Sequence, residues 1–576
     1  MMKHDAMPDE AAHDLPVLLI VDADRKDRVA TESALLRRFA PDYRVLTAAS
    51  AAAGLDALER LAHQGNEVAL VAADLDLSEM DGIAFLERAR ALHRCAMRAL
   101  FVDMDNRGTR IPFAALDALQ RATALGRIDF WVVKGWRAPE ELLYPYIQEA
   151  LTAWTKTNRP HHAVFRVVGE RWSPRSHELR DVIARNTVPF RFYDVDSDEG
   201  RQLLHDYGVD VERLPAVILN DGSVLHQPTY VDIAHALGVH TQPSSEVYDL
   251  AILGAGPSGL AAAVYGASEG LRTLVIEPQA IGGQAGTSSM IRNYLGFPWG
   301  VSGSELAFRA FEQTLLFGAQ FVFQQRATGM TIDNHEHIVT LTDGCEARAR
   351  AVMIAAGVDY RRVGIPALER LVGVGVFYGA AQAEAPALVG EDVYVIGGAN
   401  SAGQAALHLA RFAARVTLLV RGESLEASMS DYLIIQLQDT PNIHVRLRTR
   451  VVDGRGAERL ETLLVEDGGT GQREEVAAAA VFIMIGAEPR TDWLRDIIHL
   501  DDRGFILTSR DIPVQAWPLE RPPLPYETSM PGVFAVGDVR HGSVKRVAGA
   551  VGEGSVAVGS VHQYLAELAA GIAGRK

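Results

Sequence analysis

Short apolar runs alternate with amphipathic stretches along most of the chain, and this alternation is typical of α/β domains. At residues 247–277, an apolar run from Tyr248 to Leu253 leads into a glycine-rich turn, an alanine-rich stretch and a second apolar run over Thr273–Ile276. These lengths predict a strand, a turn, a helix and a second strand. Residues 15–154 show the same alternation in four further apolar runs. The pattern therefore predicts an α/β chain.

The turn within residues 247–277 has the composition of a dinucleotide-binding turn. Gly254 allows a tight turn, Gly256 lets a pyrophosphate approach the bare backbone, and Gly259 lets the helix pack on the strand. The helix N-terminus presents unpaired N–H groups and a positive dipole end to the phosphates. Glu277 ends the second strand, where a carboxylate accepts hydrogen bonds from both ribose hydroxyls. We therefore predict that these four residues bind a dinucleotide.

Composition excludes several classes of function. The chain has 576 residues, a length that suggests about four domains, and its net charge of −17 argues against nucleic-acid binding and against anionic membranes. The longest apolar run, residues 476–487, is too short to span a bilayer and predicts a buried strand. No signal peptide is visible, and Cys95 and Cys345 are the only cysteines, with no C-x-x-C motif. We therefore expect a cytoplasmic protein with reduced thiols.

Polar residues end the four apolar runs of residues 15–154. Three runs end in aspartates and one in a lysine, namely Asp22, Asp74, Asp103 and Lys134. Because the carboxyl ends of parallel strands converge at one crevice, these side chains are expected to meet there. They would suit Mg²⁺ and a phosphorylated carboxylate. The alternative is that the aspartates cap the helices that follow the strands.

The nine residues DLDLSEMDG, which begin at Asp74, resemble the phosphoacceptor segment of response-regulator receiver domains. The resemblance implies a flavodoxin-like receiver over residues 15–154, with Asp74 as phosphoacceptor, Asp22 and Asp74 at a Mg²⁺ site, and a histidine kinase as partner. Ala23 and Asp103 depart from the pattern, since the family has an acid at the first position and a hydroxyl residue at the second. An altered or constitutive signal is therefore the alternative to phosphorylation.

Residues 162–240 predict a smaller α/β unit that resembles the thioredoxin/glutaredoxin fold. Its motif, Trp172-Ser173-Pro174-Arg175-Ser176, stands at a helix start where that family has W-C-x-x-C. Leu214-Pro215 precedes a strand and is a candidate for a cis peptide bond. Because serine cannot form a disulfide, the resemblance implies the fold without thiol exchange. We interpret the unit as a docking or spacer module.

Further motifs along residues 247–570 together resemble the thioredoxin reductase family, and the whole layout resembles fused response regulator/thioredoxin-disulfide reductases. This implies Rossmann-like FAD-binding (247–366 and 488–570) and NAD(P)-binding (367–487) domains, FAD and NADPH or NADH as cofactors, and a homodimer. The residues that the resemblance assigns to FAD are Gly254, Gly256, Gly259, Glu277, Gly283, Gln284, Asn293 and Asp538. Those that it assigns to the nicotinamide dinucleotide are Gly397, Asn400, Ser401, Ala402 and Arg421.

The reductase dithiol is missing from this frame. Gly379 and Gln382 stand where the family has its two cysteines, so the chain has no thiolate to exchange electrons with a flavin. Only Arg421 remains of the family's arginine cluster for the 2′-phosphate, and Glu426 replaces a basic residue. The preference between NADPH and NADH therefore stays open.

Two functions remain compatible with these motifs. The first is an FAD-dependent NAD(P)H oxidoreductase that passes electrons to an acceptor other than an internal disulfide, such as a ferredoxin-like protein, a quinone, oxygen or a partner's disulfide. His541 is a candidate proton donor for that site, and its alternative is a surface-loop histidine. The second function is a flavin-based redox sensor or adaptor in a phosphorelay, with little turnover.

Overall fold

The computed structural model describes residues 15–571, except for 78–79, 104–112, 125, 135–138, 159–164, 187, 189, 220, 237, 289, 292, 298–299 and 380–383. The chain divides into two compact units, Met1–His162 and Ala163–Lys576. Gln382 lies outside the described residues. Within the described part of the chain, no helix is both long enough and apolar enough to cross a membrane.

The first unit is a five-stranded parallel sheet with helices between its strands. The strand order is β2-β1-β3-β4-β5, which is a doubly wound order. Strand β1, which lies between β2 and β3, is completely buried, and all five of its residues are apolar. The elements are β1 (Val17–Val21), α1 (Arg25–Phe39), β2 (Arg44–Ala48), α2 (Ala51–His63), β3 (Val68–Asp74), α3 (Gly82–Leu92), β4 (Met97–Val102), α4 (Phe113–Ala124), β5 (Phe130–Val133), α5 (Pro139–Leu142) and α6 (Tyr144–Asn158).

Residues 165–240 form the middle module, which has a mixed four-stranded sheet in the order β7-β6-β8-β9. The predicted cis peptide bond between Leu214 and Pro215 is confirmed. Ser173 caps helix α7 by accepting a hydrogen bond from the Ser176 backbone N–H. The elements are β6 (Phe165–Gly169), α7 (Pro174–Arg185), β7 (Phe190–Asp194), α8 (Asp198–Tyr207), β8 (Ala216–Leu219), β9 (Val224–His226) and α9 (Tyr230–Ala236).

The first nucleotide domain is built on a seven-stranded sheet. Its path is β12-β11-β10-β15-β14-β13, and β26 pairs with β15. The long helix α15 packs against this sheet and against α10. The elements are β10 (Val247–Leu253), α10 (Pro257–Ser268), β11 (Thr273–Glu277), α11 (Gly303–Leu316), β12 (Gln320–Phe323), β13 (Ala327–Asp333), β14 (Glu336–Leu341), β15 (Glu346–Ile354), β16 (Val358–Tyr360), α12 (Pro366–Glu369), β25 (Ala487–Pro489), β26 (Val533–Ala535) and α15 (Val547–Ala569).

The second nucleotide domain is inserted between the two parts of the first. It has a parallel sheet in the order β17-β24-β18-β19-β20 and an antiparallel sheet, β21-β22-β23. The elements are β17 (Val376–Tyr378), β18 (Asp392–Ile396), α13 (Asn400–Leu409), β19 (Arg415–Leu419), α14 (Asp431–Gln438), β20 (Ile443–Arg446), β21 (Thr449–Arg455), β22 (Thr462–Asp467), β23 (Arg473–Ala477) and β24 (Ala480–Ile483).

The apolar run at residues 476–487 is not the single buried strand that we predicted. It contains the end of β23, the whole of β24 and the start of β25. Only β24 is a fully buried strand, because it lies between β17 and β18. The alanines before it form the crossing from the antiparallel sheet to the parallel one, and hydrophobic pattern alone does not distinguish such a crossing from a strand.

Candidate functional site

The turn between β10 and α10 lies at the carboxyl edge of the first nucleotide domain's sheet. Gly254 has φ +111°, and a Cβ there would lie 2.5 Å from the Ala355 carbonyl oxygen. A Cβ on Gly259 would lie only 1.9 Å from the Gly254 carbonyl oxygen, whereas one on Gly256 would have no atom within 4 Å. Helix α10 therefore packs closely on its strand, and the backbone at Gly256 faces open space.

Glu277 is buried at the end of β11 and organises the loops around this turn. One carboxylate oxygen accepts a hydrogen bond from the Ala255 N–H at 2.7 Å. The other accepts from the N–H groups of Gln279 and Ala280, at 2.8 and 3.0 Å. The sequence indicated only a role toward a ribose, and these backbone contacts were missed because they depend on the path of the following loop.

A single cleft extends from the glycine turn to the second nucleotide domain. Gly283 approaches the backbone of Gly256, and Gln284 donates to the Val358 carbonyl oxygen at 2.6 Å. Asp538 lies in the same cleft, where burial raises the pKa of its carboxyl group. Of the residues assigned to FAD by resemblance, those that line the cleft are Gly254, Gly256, Glu277, Gly283, Gln284 and Asp538.

Two residues that the resemblance assigns to FAD, Asn293 and Gly259, are not among the described residues that line the cleft. Asn293 is exposed, and it is not among the described residues of the cleft. It was assigned by motif, and it lies in the chain between Ile291 and Val301, which form a short antiparallel bridge. Gly259 is buried between helix and strand, so its part in the site is to permit close packing.

The second nucleotide domain contributes helix α13 to this cleft. Ser401 lines it, together with Gln404 and Ala405, which the sequence did not single out. Ala402 is fully buried in the domain core. The Asn400 amide exchanges two hydrogen bonds with Ser430, at 2.8 and 3.1 Å. Ala402 and Asn400 are not among the described cleft residues. Ala402 packs in the domain core, and Asn400 is hydrogen-bonded to the residue that precedes α14.

Gly397 and Arg421 lie at the carboxyl ends of β18 and β19. Gly397 has φ +151°, and a Cβ there would lie 2.5 Å from the Met484 carbonyl oxygen. Arg421 is exposed, and nearby Glu423 forms a salt bridge of 3.2 Å with Arg448. Arg448 is a second basic residue of this surface that the motif comparison missed, since it follows β20, 27 positions beyond Arg421 in the chain.

An aromatic ring closes the space beside Gly379, one of the two positions at which the family resemblance predicts a cysteine. Gly379 has φ +90°, and a Cβ there would lie 2.6 Å from Cε2 of Tyr360. Tyr360 lines the cleft, and burial raises the pKa of its phenol. The sequence gave no reason to single out Tyr360, which ends β16, 19 positions before Gly379 in the chain.

Comparison with known proteins defines the family. A family model described as pyridine nucleotide-disulphide oxidoreductase matches residues 248–554, just over half of the chain. The chain belongs to this family. Thioredoxin reductase of Treponema pallidum is 35% identical over 321 residues, which are 56% of this chain and 98% of the relative. Thioredoxin reductase of Bacillus subtilis is 33% identical over 326 residues, or 56% of this chain and 96% of the relative.

Solved structures show the same relationship. Thioredoxin reductase from Lactococcus lactis, in its FR conformation, is 27% identical and aligns with a TM-score of 0.51 over 56% of this chain and 99% of its own. That of T. acidophilum is 26% identical, with a TM-score of 0.50 and the same coverage. The family and these relatives show that this chain is a thioredoxin reductase-like oxidoreductase that uses FAD and NAD(P)H.

The cleft of this pyridine nucleotide-disulphide oxidoreductase fits FAD. The N-terminus of α10 has no side-chain cap, so its N–H groups are available to phosphates. The open space at Gly256 leaves room for a diphosphate, and the carboxylate of Asp538 is placed to accept hydrogen bonds from hydroxyl groups. Bound FAD would supply a ring that accepts hydride from the nicotinamide.

Neither His541 nor Cys345 is among the described residues that line this cleft. His541 is half-exposed and its Nδ1 lies 2.8 Å from a carboxylate oxygen of Asp501. Its proposed role as a proton donor therefore stays a prediction. Cys95 is exposed in the first unit, and Cys345 lies in the turn between β14 and β15.

The predicted cluster of polar side chains in the first unit does form. The Lys134 ammonium lies 2.6 Å from Asp74, 3.3 Å from Asp22 and 3.4 Å from Asp103. Burial raises the pKa of Asp74 to about 6, although Lys134 opposes the shift. The sequence missed Asp27, whose carboxylate lies 3.7 Å from the same ammonium.

The structure does not support the predicted Mg²⁺ site at Asp22 and Asp74. Among the residues that the structure describes, no group of three or more acids, histidines or cysteines is arranged to hold a metal ion. Both carboxylates instead surround the Lys134 ammonium. Asp24 does not join them, because it caps helix α1 by accepting from the N–H groups of Lys26 and Asp27.

Proposed function

We propose that this chain oxidises NAD(P)H through FAD and passes the electrons to an acceptor that is not an internal disulfide. The observation that carries the proposal is the Gly379–Tyr360 contact. A thiol at position 379 would need a side chain in space that the Tyr360 ring already fills. A flavin does not require a protein nucleophile to accept hydride, so the loss of the dithiol leaves that half of the reaction intact.

The remaining thiols are poorly suited to replace the dithiol. Cys345 lies in the first nucleotide domain but outside the described cleft, and a hydrogen bond to Asp343 raises the pKa of its thiol. A raised pKa lowers the fraction of reactive thiolate. Cys95 belongs to the first compact unit and is exposed. The acceptor classes that we favour are therefore a ferredoxin-like protein, a quinone, oxygen or a disulfide supplied by a partner.

Anaerobic stopped-flow reduction tests the hydride step. The FAD-loaded protein is mixed with NADH and separately with NADPH, and the flavin absorbance is followed. We expect at least one nucleotide to bleach the flavin. The thiol-free variant Cys95→Ser/Cys345→Ser should be reduced at the wild-type rate and should pass electrons to a quinone or dye equally fast.

Two outcomes contradict the proposal. If neither nucleotide bleaches a flavin that dithionite reduces, the hydride path is closed. If the thiol-free variant is reduced normally but loses turnover that wild type shows, electrons leave the flavin through a protein thiol. The faster nucleotide also shows whether Arg421 favours the 2′-phosphate of NADPH or whether Glu423 and Glu426 favour the free hydroxyl of NADH.

A second candidate function is a flavin-based sensor in a phosphorelay, with a receiver as its N-terminal unit. It is supported by the close approach of Lys134 to Asp74. Acetyl phosphate plus Mg²⁺ should then add one phosphate to wild type and none to Asp74→Ala, as measured by intact mass. Absence of the added mass in wild type would contradict the phosphoacceptor role. A histidine kinase partner and a homodimer remain predictions from the family resemblance.

A further inference from the structure

Helix α7 of the middle module contacts both nucleotide domains. At its N-terminal end, Pro174 packs against the second domain so closely that a Cβ on Gly373 would lie 2.9 Å from its Cα. At its C-terminal end, the Asn186 amide donates to the Gln279 carbonyl oxygen at 3.1 Å and accepts from the Ile281 N–H at 3.4 Å. The helix therefore spans from Gly373 of the second nucleotide domain to Gln279 in the lining of the cleft.

A buried ionic cluster fixes the N-terminal half of this helix. Glu384 of the second domain is only 1% exposed, and its carboxylate lies 2.6 Å from Nδ1 of His177 and 3.1 Å from Nη2 of Arg180. Arg180 is 4% exposed. A pair of charges removed from water in this way is stable only while both partners stay in place. The cluster therefore joins α7 of the middle module to the second nucleotide domain.

The docked helix places Arg185 in the cleft. Arg185 is the last residue of α7, directly before Asn186, and it lines the cleft together with Tyr360 and Gln284. Its Nε is buried without a hydrogen-bond partner among the described residues, and its Nη1 lies 3.5 Å from the Asp181 carboxylate. Buried N–H donors without an acceptor are rare in native proteins, so this group points to a ligand.

A second guanidinium lines the same cleft from the first nucleotide domain. Arg490 contacts Asp359 and Gln279 through Nη2, and its Nε is likewise buried without a partner in the described structure. Guanidinium groups donate to phosphate and other anionic oxygens with a strength that neutral donors lack. The middle module and the first nucleotide domain thus each place in this cleft a guanidinium Nε that has no acceptor among the described residues.

We propose that Arg185 of the middle module binds an anionic oxygen of a dinucleotide in this cleft, either FAD or NAD(P)H. The module has lost both cysteines of its motif, yet it supplies a binding residue to the redox site. The inference concerns dinucleotide binding and does not depend on which acceptor takes the electrons.

The test compares Arg185→Gln and Arg185→Lys with Arg201→Gln. Arg201 is a matched control, because it lies on α8 of the same module and pairs with Asp198 across one helical turn at the surface. FAD affinity is measured by titrating the apoprotein and following flavin fluorescence. NADH and NADPH affinities are measured on the FAD-loaded protein by difference absorbance.

We expect Arg185→Gln to lose about tenfold or more in affinity for one of the two dinucleotides, as a charged hydrogen bond should. Arg185→Lys should lose less, and Arg201→Gln should lose nothing. A loss for FAD identifies an FAD oxygen as the partner, and a loss for the nicotinamide dinucleotide identifies that ligand. Wild-type affinity for both dinucleotides in both Arg185 variants would overturn the proposal.

Asp181→Asn separates binding from helix distortion if Arg185→Gln folds poorly. This variant removes only the carboxylate that faces Arg185 and leaves the guanidinium in place. It should keep or increase dinucleotide affinity. If its affinity falls as far as that of the Arg185 variants, the helix end and not the guanidinium is responsible, and the proposal fails.

Discussion

The Asp74 carboxyl group is buried beside Lys134, and burial is the largest influence on its pKa. The pKa rises to about 6, and the charges of Asp22 and Asp103 add to the rise. The folded first unit therefore binds a proton at Asp74 more tightly than the unfolded chain does. Burial of ionised Asp74 consequently costs stability at neutral pH, and the pairing that raises the pKa of Lys134 offsets part of that cost.

Asp74→Asn should stabilise the first unit at pH 7.5 by on the order of 2 kcal/mol, because asparagine resembles the neutral carboxyl group. The difference from wild type should shrink as the pH falls from 6 toward 3.8 and vanish at about pH 3, where Asp74 is protonated in both the folded and the unfolded state. Denaturant unfolding at several pH values, followed by circular dichroism, measures this difference.

Asp56→Asn is the control for this experiment, since Asp56 is exposed on α2. It should leave the free energy of unfolding within about 0.5 kcal/mol of wild type at every pH. A destabilised Asp74→Asn protein at pH 7.5 would show that the ion pair with Lys134 outweighs the cost of burying the carboxylate.

At the scale of elements, two glycines of the β10–α10 turn have different roles: one permits helix packing and the other leaves room for a ligand. Gly259 is buried between helix and strand, where even a methyl group meets the Gly254 carbonyl oxygen. Gly256 faces the cleft and has no neighbour within 4 Å of an added Cβ. Gly259 therefore permits the close packing of helix on strand, and Gly256 leaves space for a ligand.

Alanine at position 256 should lower FAD affinity, whereas alanine at position 259 should lower the stability of the fold. Gly256→Ala should keep the apoprotein within about 0.5 kcal/mol of wild type and lose FAD affinity by about tenfold or more, because the methyl group enters the cleft. Gly259→Ala should lower the free energy of unfolding by about 1 to 3 kcal/mol through overpacking. Thermal unfolding of the apoproteins and flavin fluorescence titration measure the two effects.

Each variant is the control for the other. Normal FAD binding in a well-folded Gly256→Ala protein would show that the cofactor does not approach this turn. A Gly259→Ala protein as stable as wild type would show that α10 can move away from its strand at little cost.

Across the second compact unit, helix α7 joins the middle module to both nucleotide domains. The contact depends on Glu384, which lies 207 residues from His177 in the chain. Nothing in the local sequence around either residue indicates this pairing. The middle module and the nucleotide domains should therefore resist separation as long as the buried cluster is intact.

Glu384→Gln should destabilise the docked module by about 2 to 4 kcal/mol, because it leaves the Arg180 guanidinium buried without a carboxylate. Limited proteolysis of residues 241–246, between the module and the first nucleotide domain, should become faster. Hydrogen exchange in α7 reports the same loosening.

Asp198→Asn serves as the control, because it breaks an exposed pair with Arg201 in the same module. Exposed pairs contribute about 0 to 1 kcal/mol, so this variant should behave as wild type. Equal proteolysis in Glu384→Gln and Asp198→Asn would contradict a stabilising role for the buried cluster.

The strands and the dinucleotide turn were predictable because they depend on neighbouring residues. The strand expected at Tyr248–Leu253 is observed as Val247–Leu253, and the one expected at Thr273–Ile276 extends by a single residue to Glu277. The assignments of Asn293 and His541 rested on motif position, which does not say whether a loop turns toward the cleft or toward solvent.

The sequence by itself determined the α/β class, the glycine turn and the lack of a C-x-x-C motif, because each follows from residue type and spacing along the chain. Only the tertiary structure decided that Tyr360 fills the space at Gly379, that Arg185 reaches the cleft and that Glu384 holds α7. These contacts join residues distant in sequence, and their free energy comes from burial and charge pairing that exist only when the domains have packed together.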